Sequence, residues 1–180
     1  PAKHLLIGEA YNDGGKLKKE PMSFAEKNYL PLRDLQRVHL SLLFPDRREA
    51  IPLGLSEAQR GMLIKAMTGR LASVGHAAVH HPLSPGVLEV LPAARLRFVG
   101  KSGRAYGFHL DNALIEDTQS KRAFFVTATV YANPDGVLND DDYGYEEISA
   151  PLLAAIGKAL TQALLVDDRC ATAPWRPSAR

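Results

Sequence analysis

The chain has 180 residues, 46% of them hydrophobic, a formal net charge of +2 and a single cysteine. That length suits one domain with an irregular lobe, and that apolar share is ordinary for a globular core. The nearly balanced charge offers no general nucleic-acid surface, and no apolar run approaches the roughly 20 residues that span a bilayer. One cysteine, Cys170, excludes an internal disulfide and fits a reducing compartment. The first residues, Pro1 to His4, show no basic–apolar–small-residue leader. The compartment is therefore left open.

In chain order, Lys3 to Tyr11 is a short apolar run that reads as a strand, closed by the turn signal Asn12-Asp13-Gly14-Gly15. Lys16 to Asn28 is polar and basic and reads as loop. Pro31 to Phe44 predicts a helix with Pro31 at its first position, Leu32, Leu35, Val38 and Leu42 as its apolar stripe, and Pro45 as its stop. Asp46 to Leu55 is a charged connector. Ser56 followed by Gln59 is a capping box that starts a helix running to about Leu71, with Met62, Leu63, Ala66 and Met67 facing inward as core.

Ser73 to Ala94 breaks periodicity and holds Pro82, Pro85, Gly86, Pro92 and the histidines His76, His80 and His81. The next stretch organises the chain. Arg95 to Ser102 reads as a strand, with Leu96, Phe98 and Gly100 on one face and Arg95, Arg97 and Val99 on the other. Gly103 joins it to a second strand ending at Asp117. The polar turn Thr118 to Lys121 then leads to a third, Arg122 to Asn133, as an antiparallel hairpin. Asn133-Pro134-Asp135-Gly136 is a turn. The acidic run from Asp140 to Glu147 lies before a helix capped by Ser149 and running to about Leu165. Leu152, Leu153, Ile156, Leu160 and Leu164 form its inward face. The tail from Asp167 reads as irregular.

The string Lys101-Ser102-Gly103-Arg104 with Ala105 to Phe108, then Asp111-Asn112-Ala113 and Ile115-Glu116-Asp117, resembles the third and fourth sheet strands of β-lactamase-like serine hydrolases, relatives of class A β-lactamases and penicillin-binding proteins. Phe124 to Asp141 and the helix after Pro151 are similar to that family's last strand and C-terminal helix. Leu30 to Leu35 and the helix from Ser56 resemble parts of its helical lobe. The resemblance covers roughly residues 28–165. It implies acyl transfer: a Ser-x-x-Lys serine opens an amide or ester while a Lys-[Ser/Thr]-Gly strand lines the cleft. On that resemblance Lys101 and Ser102 are the catalytic positions, the lysine a fixed cation beside a substrate carboxylate and the hydroxyl a hydrogen-bond donor. Gly103 lets substrate lie against the strand, and the backbone N–H of Arg104 serves the oxyanion hole. The same resemblance expects Lys101 to project from the strand margin into a pocket roofed by helices.

The sequence departs from that pattern in one respect that matters. It contains no Ser-x-x-Lys and no Ser-Asp-Asn; Ser23 and Lys27 are spaced one residue too far. An oxyanion hole without a nucleophile catalyses little. His76, His80 and His81 offer an alternative. On a helix His76 and His80 would share a face and could hold Zn²⁺, whose bound hydroxide attacks esters or phosphoesters without a serine. A solvated histidine-bearing loop is the plainer reading, since Gly75 and Pro82 flank the cluster. Asp111, Glu116 and Asp117 read as strand-end charges, Asp111 and Asp117 on one face. The acidic run reads as a solvated helix entrance rather than a calcium loop. Cys170, with no nearby histidine, does not read as a catalytic thiol.

The expected fold is α+β: an antiparallel sheet of at least three strands, the C-terminal helix packed on it and a small helical section, like the C-terminal part of a β-lactamase-like fold. Residues 1–28 form a strand and loop segment, 29–166 the truncated domain, and 167–180 the tail. The expected function is a hydrolase of ester, amide or related acyl or phosphoryl small molecules. The alternatives are a zinc esterase or phosphoesterase and a ligand-binding remnant without chemistry. No resident cofactor is expected on the first reading, nor a nucleic-acid or membrane partner. The family's absent strands would leave a sheet edge open, to be covered by Lys3 to Tyr11 or by a second copy in a homodimer.

Overall fold

A computed structural model describes residues 5–68 and 81–167. His76, His80, Cys170 and most of the tail lie outside the described residues. The fold is α+β, built on a three-stranded antiparallel sheet in the order β5-β6-β7, with β5 Leu96–Ala105, β6 Phe108–Asp117 and β7 Arg122–Tyr131. Pairing is continuous over ten residues in each ladder, from Leu96↔Asp117 to Ala105↔Phe108 and from Phe108↔Tyr131 to Asp117↔Arg122. The first strand therefore does not stop at Ser102. It continues through Gly103 to Ala105, and the chain reverses at Tyr106 and Gly107, with φ of 54° and 80°. A two-residue hairpin turn needs positive φ at both positions; Gly107 supplies one of them without strain, whereas Gly103 lies in extended backbone.

The sheet is buried on both faces, which is why Phe98 and Val99, neighbours of opposite orientation, are both fully covered. Phe98, Ala113, Ile115 and Val126 pack against a helical layer that supplies Leu83, Val87 and Leu153. Val99 and Leu114 pack against Leu43, with Ile64 and Met67 beside them. Each large side chain so buried stabilises the fold by about 1.5–3 kcal/mol relative to exposure.

The second cluster belongs to α1, Leu32–Leu43, and α2, Glu57–Met67. α1 lies over β6 and β7 and buries His39, Ser41, Leu42 and Leu43; Leu32 and Val38 are exposed, so the expected stripe is rotated by one position. α2 begins with the capping box read from the sequence: Gln59 N donates to Ser56 Oγ at 3.3 Å and Ser56 N to Gln59 Oε1 at 2.8 Å. It ends at Met67, earlier than expected, where Thr68 turns extended and forms a bridge with Val99. Met62 and Leu63 face outward, against the expectation; Ile64 and Met67 make the contact instead. Apolar residues occupy more than one side of α2, so periodicity alone does not choose the buried side.

The first cluster belongs to α3, Ser84–Leu88, and to α4, Ala150–Thr161. α3 lies in the stretch read as irregular; Pro85 in its first turn has no N–H to lose there. α3 and α4 meet backbone to backbone at Gly86 and Gly157: a Cβ on Gly86 would stand 1.7 Å from Ala154 O, and one on Gly157 2.3 Å from Leu83 O. α4 is extended at both ends by π-helical turns, Tyr145–Ser149 and Gln162–Val166. Ser149 is thus inside the helix rather than its cap. Leu153, Gly157, Thr161 and Leu165 face the sheet side, while Ile148, Leu152 and Val166 are exposed. By length and composition this helix, Tyr145–Val166, could cross a membrane. Glu146, Glu147 and Lys158 interrupt its apolar run, and its inward side is taken up by the core.

The N-terminal segment forms β1 Leu6–Ile7 with β4 Met22–Ser23, and β2 Ala10–Asp13 between β3 Lys16–Lys18 and β8 Val137–Leu138. Lys16–Lys18 is therefore strand rather than loop. The run expected to cover the open sheet edge pairs elsewhere. Among the described residues, the outer edges of β7 and, beyond Val99, of β5 have no strand partner.

Candidate functional site at the open edge of β5

Alternation along β5 assigns its side chains. Phe98, Gly100, Ser102 and Arg104 lie on the α4 side, Val99, Lys101 and Gly103 on the α1–α2 side. Lys101 and Ser102 therefore project from opposite faces. Lys101 is exposed, and its ammonium donates to the carbonyl of Ser102. It does not enter a pocket roofed by helices, as the resemblance implied. A cavity of about 390 Å³ exists elsewhere, in the α1–α2 connector, lined by Ser41, Ile51, Leu53, Leu55 and Arg60, and none of its lining comes from β5. Among the described residues, a Cβ on Gly103 would meet nothing within 4 Å, so they leave the strand beside Lys101 open to an approaching molecule.

Ser102 is half-buried and stands directly across the ladder from Asp111. Asp111 is fully buried, and both its oxygens are engaged: Oδ1 lies 3.1 Å from His81 Nδ1, and Oδ2 accepts from Leu83 N at 3.2 Å. His81 is placed by the turn that opens α3, where Ser84 N and Ser84 Oγ both donate to its carbonyl, at 2.9 and 2.7 Å. Its side chain retains 14% exposure, and its ring lies 4.8 Å from that of Phe98. Gly100, between Phe98 and Ser102 on that face, has no side chain to fill the space; a Cβ there would strike the Phe98 ring at 2.8 Å.

Arg104 closes the hairpin end. It pairs with Glu146 at 2.7 Å and lies 5.3 Å over the ring of Tyr145. Glu146 thus has a partner on the sheet, beyond its part in the helix entrance. Tyr145 accepts from Gly107 N at 2.9 Å, and burial pushes its phenol above the ordinary value, so it is neutral. His109, 4% exposed, has Nδ1 2.8 Å from Ser149 Oγ, which has the Tyr145 carbonyl 3.1 Å away to donate to. That network assigns the Nδ1 proton to His109. Burial, aided by the Arg104 charge, lowers the His109 pKa. Ser149 is fully buried, so this pair braces the helix and is closed to a substrate.

The strand-end carboxylates are structural. Asp117 is held by Arg95 through bonds of 3.1 and 2.6 Å, and that guanidinium keeps its carboxyl well below the usual range. Glu116 pairs with Arg97 at 2.8 Å on the opposite face. Lys27, in the near-match to a nucleophile motif, instead donates to Tyr106 OH at 2.8 Å at the hairpin tip. Among the described residues no group of three or more metal-capable side chains converges, and of the three zinc candidates only His81 is described.

Lys101, Ser102, Gly103 and Arg104 thus share one strand but not one pocket. Both Asp111 and His81 are visible in the sequence as candidates for other roles. Their pairing is not, because 30 residues and a helix separate them. No family model, curated protein or solved structure matches the chain.

Proposed function

We propose that the chain is a hydrolase-type domain of β-lactamase-like ancestry whose β5 edge binds a carboxylated ester, amide or related acyl or phosphoryl small molecule. One observation carries this reading: from Lys101 to Ala105 the outer edge of β5 is unpaired among the described residues, open there at Gly103 and flanked by the Lys101 ammonium. An unpaired strand edge offers backbone donors and acceptors to an extended ligand, and a fixed ammonium adds a counter-charge for its carboxylate. With Lys101 and Ser102 on opposite faces, such a ligand lies along the edge and is touched from both sides. The absence of Ser-x-x-Lys from these residues limits the reading to the binding wall of an acyl-transfer site.

The experiment is a titration with benzylpenicillin, followed by calorimetry and by the shift in melting temperature. Saturable binding that is weakened about tenfold or more in Lys101→Ala and unchanged in Lys16→Ala is expected, since a charge-assisted hydrogen bond contributes about 1.5–3 kcal/mol. Absence of saturable binding, or equal binding by both variants, would overturn the reading.

A further inference from the structure

We infer that Asp111, His81 and Ser102 form an acyl-transfer relay, with His81 as general base and Ser102 as the nucleophile. The assignment deepens the reading of the β5 edge as an acyl-binding surface and rests on it. It would supply, on the sheet itself, the hydroxyl nucleophile that the missing Ser-x-x-Lys would otherwise provide.

A hydroxyl becomes a nucleophile when a neighbouring imidazole takes its proton, and an imidazole does so best when a third group fixes its tautomer and orientation. Asp111 meets the requirements of that third group. It is a fully buried carboxylate; Oδ1 faces His81 Nδ1 at 3.1 Å, and Oδ2 is anchored by the Leu83 amide at 3.2 Å. As an acceptor, the carboxylate calls for the proton on Nδ1 and leaves Nε2 as the basic nitrogen. Nε2 has no hydrogen-bond partner among the described residues. The ring is held from behind by Phe98 at 4.8 Å, and its backbone is tied into the first turn of α3. A histidine buried only to satisfy a core carboxylate would have no need of exposure, yet this one keeps part of its surface in solvent.

Ser102 is the hydroxyl on that face. It is the cross-strand partner of Asp111 and is separated from Phe98 only by Gly100 on the α4 side of β5. Its hydroxyl donates to nothing among the described residues, and it lies on the same open edge as Lys101 and Gly103. No Ser102–His81 hydrogen bond is formed without substrate; such bonds often tighten only in the complex.

The simplest substrate is an ester. Ser102 Oγ adds to the acyl carbon as its proton passes to His81 Nε2, and the bond to the alkoxy or aryloxy group breaks. That group takes the proton from the imidazolium, or leaves as an anion while the imidazolium releases its proton to solvent, so that His81 is neutral again in either case. Water then repeats the sequence: His81 accepts its proton, the hydroxide adds to the acyl carbon, and Ser102 departs with the proton returned by His81. The net change is ester plus water to acid plus alcohol.

The test is acylation by p-nitrophenyl acetate, read as p-nitrophenolate release and as the site of the acetyl group by peptide mass. An acetyl on Ser102 is expected, formed at least about 100-fold more slowly in His81→Ala, in line with the usual size of general-base catalysis, and absent in Ser102→Ala. Free imidazole added to His81→Ala should restore the rate, which a merely structural histidine would not allow. Lys16→Ala should behave as the unaltered chain. Acylation only at lysines, or an unaltered rate in His81→Ala, would overturn the assignment. Saturable benzylpenicillin binding without Ser102 acylation would also overturn it, while leaving the reading of the edge intact. Ser102 acylation by p-nitrophenyl acetate in a chain that shows no saturable benzylpenicillin binding would keep the relay while the carboxylate-binding reading fails.

Discussion

Replacing Gly86 by alanine tests the tie between the helical layer and the candidate site. The added Cβ would stand 1.7 Å from Ala154 O, 2.7 Å from Ala154 C and 2.8 Å from Lys158 N. An ordinary carbon–oxygen contact is about 3.3 Å, so α3 and α4 must separate by roughly 1.5 Å at their crossing. The atoms struck are all backbone and a Cβ has no rotamer, so no side-chain rearrangement relieves the clash. The separation opens the layer that buries Val87, Leu83 and Leu153 without residual exposure. Overpacking of this kind costs about 1–3 kcal/mol or more, against a gain of about 0.5–1 kcal/mol from placing alanine for glycine in a helix. We expect a net loss near 2 kcal/mol, or about 4–8 °C in melting temperature for a chain of this size. Leu83 caps α3 and His81 lies just before it, so the same shift should loosen the bonds to Asp111 and slow acylation by p-nitrophenyl acetate. Gly61→Ala is the matched control. Gly61 lies in α2 with nothing within 4 Å of its missing Cβ, and the substitution should stabilise by roughly 0.5–1 kcal/mol. Thermal unfolding followed by near-ultraviolet circular dichroism gives both numbers. A Gly86→Ala variant that melts at or above the unaltered chain would refute the close approach of the two helices.

His39 should make stability fall in mild acid. It is 2% exposed, neither ring nitrogen has a hydrogen-bond partner among the described residues, and burial lowers its pKa despite the opposing pull of the Asp111 charge. A proton is therefore bound more readily by the unfolded chain. The histidine's contribution is whole above its ordinary value near 6.5 and is lost progressively as pH drops from there towards the lowered folded pKa. Replacing it with leucine should flatten that part of the stability–pH curve and raise stability at pH 5, as measured by denaturant melts; an unchanged acid slope would refute the argument. The outer edge of β7, unpaired among the described residues, is expected to pair with a second copy, giving a homodimer by sedimentation, and a single-chain mass at high concentration would refute this.

Local rules made much of the fold legible. A capping box acts over three residues, strand alternation over two and a proline stop over one, so α1, the start of α2, the three long strands and the final helix could be read from the chain. Errors arose where a local signal had two solutions. Glycines at 103 and 107 both invite a turn, and only the demand for positive φ selects Gly107. Apolar residues stand on more than one side of α2, and the position of the sheet decides that Ile64 is half-buried against it and Met62 is exposed.

The sequence by itself determined which residues could carry chemistry: Lys101, Ser102, His81 and Asp111 are all conspicuous in it. Only the tertiary structure decided which of them meet. The α3–α4 crossing at Gly86 and Gly157 sets α3, and with it His81 and Leu83, on Asp111, while strand alternation turns Lys101 away from Ser102 to the opposite face. The physical reason is range. Propensity and periodicity act within a few residues, whereas a carboxylate on one strand finds its histidine 30 residues away only through the packing of the layers between them.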